Sequence, residues 1–276
     1  MNDAAKPIDI DPLLRGSWRL LRAYPVIVVP LVGVGAATLV LIVGWIVFLA
    51  THPPPPDTAV LSDAQEAPLA MVAPAMGLCA LLCLFAAMLA FLATYAMADD
   101  LWQTGSTSLA RGVRAAFGRL GASIVAGIGL IGLSIVAVIV AIPTLGASFL
   151  AMIVFTMYVL SAVVGGGRGG IDAIAESFRL ALRYFGASAI TSLVLYAVQY
   201  AAQFAVFPAI MVIWLSTLST AISGQKAAVM IVGLSLAGVL FVLGQAVMLA
   251  AYSYHALMLC GLYRSMRSLT EQGATV

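Results

Sequence analysis

Tyr196, Gln199, Tyr200 and Gln203 recur at positions i, i+3, i+4 and i+7, which on a helix places two amides and two phenols along one face. Gln245 lies at comparable depth in a later apolar run, and His255 follows it, flanked by Tyr252, Ser253 and Tyr254. Uncharged donors and acceptors of this kind can hold a lipid head or a small solute. They can also hydrogen-bond helix to helix, at roughly 0.6 to 2 kcal/mol each. Amides are costly in hydrocarbon unless partnered, so either use turns these faces into a bundle.

Stronger chemistry has few carriers. His52 and His255 are far apart in sequence and form neither a metal site nor a triad. Cys79 and Cys83 share a helix face, yet no histidine or carboxylate at matching depth completes a zinc shell, and they read as small buried hydrophobes. Asp99 and Asp100 could work as acid and base, but they end an apolar run where carboxylates sit in water. Gly165 to Gly170 match a dinucleotide fingerprint in letters only, since they follow an apolar helix and no strand. They read as a flexible exit from that helix. No catalytic residue, metal or cofactor is expected, and the chain reads as non-enzymatic.

The elements that position these residues follow from composition. Hydrophobic residues make up 63% of the chain and charged ones 9%. A water-soluble domain carries roughly 25% charged residues, and no such fold hides this much apolar surface. Crossing about 30 Å of hydrocarbon takes about 20 apolar residues. Runs of that size lie at about 25–50, 69–98, 121–142, 147–164, 186–220 and 227–263. The first is too long for a signal-peptide core of about 7 to 15 residues, so a retained span is expected. It ends at the prolines 53–56; the second stops at Asp99-Asp100; the third and fourth form a hairpin turning at Pro143 to Gly146; the fifth tilts, kinks at Pro208 or projects beyond the bilayer. The expected fold is an all-α polytopic bundle of six transmembrane helices in one membrane domain.

Basic residues set its orientation, because Lys and Arg in short flanking segments stay in the cytoplasm. Lys6, Arg15, Arg19 and Arg22 precede span one; Arg111, Arg114 and Arg119 separate spans two and three; Arg168, Arg179 and Arg183 separate four and five; Arg264 and Arg267 follow six. Only Lys226 falls on the other side. Both termini are therefore expected in the cytoplasm, which requires an even number of crossings. The net charge of +2 gives no reason to expect a nucleic-acid partner.

Each odd-numbered span follows a short basic segment that reads as an amphipathic interfacial helix. In 170–185 the charges fall on one face and Ile171, Ile174, Ala175, Phe178, Leu182 and Phe185 on the other. Ser17-Trp18-Arg19, Gly112-Val113-Arg114 and Ser177-Phe178-Arg179 superpose a small residue, an apolar one and an arginine. The last two also reach Gly-Ala-Ser at the same distance, at Gly121 and Gly186. Three parallel units result, each an interfacial helix followed by a hairpin. Arg15, Arg19, Arg22, Arg111, Arg114, Arg119, Arg179 and Arg183 could hold anionic lipid heads or act as anchors.

The segment from Gly167 to Leu180, with the helix start Ser108-Leu109-Ala110-Arg111 and the Pro143 hairpin, resembles a broad group of bacterial six-span membrane proteins. That group includes YciC-type inner-membrane proteins and the membrane domain fused to some glycerophosphoryl diester phosphodiesterases. The resemblance covers most of the chain and implies a bacterial inner-membrane location. It implies no hydrolysis, which belongs to the soluble domain of the fused relatives. Two functions remain open: handling of a lipid or small solute in the membrane, or a scaffold that binds a protein partner or a second copy of itself. The first predicts a cavity beside Gln199 and the second a filled bundle.

Overall fold

A computed structural model describes residues 8–51, 63–144, 146–223 and 226–273. His52 and the prolines 53–56 fall outside them. Among the described residues there are helices and no strands: α1 Asp11–Ala23, a 3-10 turn Pro25–Val28, α2 Val29–Thr51, α3 Asp63–Thr104, α4 Leu109–Ala141, α5 Ala147–Thr156, α6 Val159–Val164, α7 Gly170–Arg183, α8 Phe185–Phe204, α9 Phe207–Ser223 and α10 Lys226–Gly273. Among the described residues five stretches are long and apolar enough to cross a membrane, and the pair Asp11–Ala23 and Pro25–Leu41, bent by 90°, makes six where it counts as one span. The protein is an all-α, multi-pass membrane bundle.

Helix ends depart from the hydropathy boundaries at the charged residues. Helix α3 runs through Asp99-Asp100 to Thr104, and α10 continues past Tyr263 to Gly273. A polar residue ends a membrane span without ending the helix, because the backbone ladder is indifferent to the change of solvent.

Two expected spans are broken. The fourth divides at Met157-Tyr158, where Ser177 of α7 inserts: its hydroxyl donates to the Phe155 carbonyl at 2.7 Å and accepts from the Tyr158 N–H at 3.2 Å. An inserted side chain is a recognised cause of a helix break. The fifth divides into α8 and α9 at Ala205-Val206, just before Pro208, with short-range bonds from Val206 N–H to the Gln203 carbonyl (3.0 Å) and Ala209 N–H to the Val206 carbonyl (3.1 Å). Gly244 of α10 packs there; a Cβ on it would lie 2.7 Å from the Ala205 carbonyl oxygen.

The amphipathic segments share one burial register. Ser17, Gly112 and Ser177 are buried, and so are Leu21, Ala116 and Ala181 four residues on. Each docks on the returning helix of the hairpin before it. Ser17 of α1 lies against Met258 of α10, Gly112 of α4 against Met97 and the Ala93 carbonyl of α3, and Ser177 of α7 in the α5–α6 break. The first unit docks on the third, so the three close into a ring.

The middle unit differs from expectation. Tyr24 (φ −129°, ψ 67°) and Tyr184 (φ −118°, ψ 43°) break the chain after α1 and α7, each returning its N–H to the carbonyl four residues back at 2.9 Å. The aligned residue in the second unit is Arg119, inside the unbroken helix α4. Two amphipathic helices are thus separate, and the third is the first turns of a span.

The face of α7 that packs on the bundle carries mostly small residues. Gly170, Ala173, Glu176, Ser177, Leu180 and Ala181 are buried, whereas Ile171 is 71% and Leu182 62% exposed on the outer surface. In a bilayer small residues allow helices to approach and large apolar ones face the lipid tails.

Candidate functional site

Two polar regions can be distinguished, one at the arginine-bearing end of the bundle and one, a helical turn further along α3, beside Tyr95. At the basic end, Asp99 is buried and accepts from Arg264 Nε at 2.6 Å and from Gln103 Nε2 at 2.6 Å. Glu176 is equally buried and accepts from the Tyr263 hydroxyl at 2.6 Å and from Arg168. These contacts tie α3, α7 and α10 together around the end of α6. Its glycines are packing residues: a Cβ on Gly165 would lie 2.6 Å from Asp99 Oδ1, and one on Gly166 would collide with the Tyr263 hydroxyl. The expectation of a solvated Asp99 and a flexible glycine exit is corrected on both counts. Asp100 is half-buried and sits 3.7 Å from Arg111.

Around this cluster lie the basic residues. Arg15 pairs with Asp11 at 2.7 Å, Arg22 lies 4.8 Å over the Trp18 ring, Arg183 lies over Tyr184, and Arg119 donates to the Gly167 carbonyl at 3.2 Å. Arg111 bonds Ser108, which caps α4. The three aligned arginines, Arg19, Arg114 and Arg179, are all exposed.

The second region is a cavity of about 350 Å³ lined by Phe91 and Tyr95 of α3, Leu160 of α6, Leu195, Tyr196, Gln199 and Gln203 of α8, and Tyr252 and His255 of α10. Helical spacing on α8 carries its polar wall. Tyr196, Gln199 and Gln203 line the cavity, with Gln203 at the exposed rim. The amide nitrogen of Gln199 is buried and has no hydrogen-bond partner. His255 lies across from α8, and Phe91 meets Tyr252 edge to face at 5.4 Å.

Two residues of the sequence-derived set lie elsewhere. Tyr200 is 57% exposed and leans on Tyr196 with ring centroids 6.1 Å apart. Gln245 is half-buried but does not line the cavity, because α10 presents Tyr252 and His255 to the α8 stripe about two turns further on. Tyr95 and Phe91 were not singled out in sequence, and Tyr252 only as a neighbour of His255. Their only signal is an aromatic side chain within an apolar run, which most core residues share.

An apolar groove of about 300 Å³ between α2, α3 and α4, lined by Gly33, Ala37, Ala90, Ala116 and their neighbours, has almost no polar surface. Among the described residues Cys79 is exposed, Cys83 half-buried and Cys260 buried, all as free thiols. No family model matches this chain, and neither a curated protein nor a solved structure was found to be similar to it.

Proposed function

We propose that this protein is a non-enzymatic component of a bacterial cytoplasmic membrane that binds a lipid or small membrane-dissolved solute in the cavity between α3, α8 and α10. The observation carrying this reading is the Gln199 amide nitrogen, buried at the cavity wall without a partner. Leaving such a group unsatisfied costs about 1–3 kcal/mol, a penalty that a bound acceptor removes. The strongly ionisable groups support the non-enzymatic reading, since Asp99, Glu176, Arg168 and Arg264 pair with one another and none of them lines the cavity.

Native mass spectrometry of the detergent-released protein tests it. The wild type is expected to carry a retained ligand mass that Gln199→Leu/Gln203→Leu protein loses. The same mass on both would end the cavity reading and favour the scaffold.

The basic end is placed in the cytoplasm on the asymmetry of the arginines and the resemblance to bacterial six-span proteins. Arg19, Arg114 and Arg179 then face the anionic leaflet from three equivalent positions. Alkaline phosphatase is expected to be active when inserted between Thr51 and Asp63 and inactive when fused after Gly273. Activity at both sites would refute the even span count.

A further inference from the structure

On the proposal that the cavity binds a ligand, we infer that the occupant is an uncharged amphiphile whose head is a flat ring bearing carbonyl oxygens, the chemistry of a membrane quinone. Charge is the first ground. None of the residues lining the cavity is a lysine, arginine, aspartate or glutamate. A phosphate head calls for charge-assisted donors, which this wall does not offer. A neutral head enters without that requirement.

Hydrogen-bonding capacity is the second. The Gln199 amide nitrogen donates and has no partner. A neutral imidazole keeps one N–H whichever tautomer it adopts, and among the described residues His255 makes no hydrogen bond. These donors come from α8 and α10, two different helices, which suits a ligand with acceptors on separate edges. Shape is the third. Phe91, Tyr95, Tyr196 and Tyr252 supply aromatic surfaces, and a planar ring packs on such faces better than a branched head does. The volume lies at the lower end of the range of about 300–1,000 Å³ for small-molecule sites, enough for a ring but not for a long tail.

The tail has a route out. Tyr196 at 38% and Gln203 open the cavity onto the outer surface of α8, where Leu193 is 72% and Phe204 69% exposed. That surface is apolar and faces lipid, so an isoprenoid or alkyl chain can lie along it while the ring sits inside.

Tritiated decylubiquinone titrated onto the immobilised full chain in detergent tests the inference. Saturable binding at one site per chain is expected, weakened about tenfold by Gln199→Leu and by His255→Phe, and unchanged by Gln245→Leu, which lies outside the cavity. Each variant is first checked for a wild-type size-exclusion profile, with Gln199→Met as the substitute should leucine misfold. Binding that does not saturate, or that is indifferent to both cavity variants, overturns the inference. If decylubiquinone fails to bind while the retained lipid is still lost from Gln199→Leu/Gln203→Leu protein, the cavity reading stands and the ring-carbonyl assignment falls. If neither ligand is held, both fall.

Discussion

Arg264→Leu is expected to destabilise the bundle by about 3 kcal/mol, more than most single substitutions in a protein of this class. Asp99 is 6% exposed, and without the guanidinium its carboxylate keeps only the Gln103 amide, pressed against Gly165. Breaking a buried pair by removing one partner costs about 3–5 kcal/mol, because the remaining charge stays buried. The lower figure applies here, since the Arg264 side chain is 34% exposed and the pair is partly screened. Asp99→Asn in the Arg264→Leu background removes that stranded charge and keeps the contact to Gln103, so it is expected to recover much of the loss. A double-mutant cycle on unfolding in SDS measures both. Equal stabilities for Arg264→Leu and the double variant would show that the ion pair does not tie α3 to α10.

That network marks the limit of what a single chain reveals before it folds. The spans were legible because bilayer thickness sets a length that the apolar runs must meet. The polar stripe on α8 was legible because helical spacing is local. Asp99 was misread because its partner Arg264 is 165 positions away, and nothing near Asp99 distinguishes a paired carboxylate from a solvated one. The break at Tyr158 has the same origin, since its cause is Ser177 on another helix. Gln245 illustrates the opposite error. Its neighbour Gly244 packs on Ala205 and Val206, so the depth read from the run ends holds, but the cavity is lined by the face of α10 that carries Tyr252 and His255.

On α7 the sequence separates a charged face from a bulky apolar one, and an interfacial helix turns the apolar one toward the acyl chains. In a soluble protein that face packs inward. Ile171 and Leu182 face outward, and Gly170, Ala173, Ser177 and Ala181 make the contact, the arrangement expected where the outer solvent is lipid.

Gly170→Leu is therefore expected to be the most damaging substitution on α7, although it adds apolar surface to an amphipathic helix. A Cβ at Gly170 would lie 2.5 Å from the Ala122 carbonyl oxygen and 2.6 Å from the Ala126 nitrogen, both backbone atoms of α4 that cannot swing aside. Relief requires α7 to move away from α4, which also withdraws Ser177 from the α5–α6 break and Glu176 from Tyr263. Overpacking typically costs about 1–3 kcal/mol, and with those bonds lost a value of about 3 kcal/mol or more is expected. Gly129→Ala is the contrasting case, because its new Cβ meets only the end of the Ile174 side chain, which can rotate, and a cost below about 1 kcal/mol follows. Gly186→Ala meets nothing within 4 Å and is expected to stabilise α8 by up to about 1 kcal/mol through helix propensity. Unfolding in SDS ranks the three. If Gly170→Leu proved no worse than Gly129→Ala, α7 would not be held against α4 by backbone-to-backbone contact, and the ring of docked amphipathic segments would lose its third member.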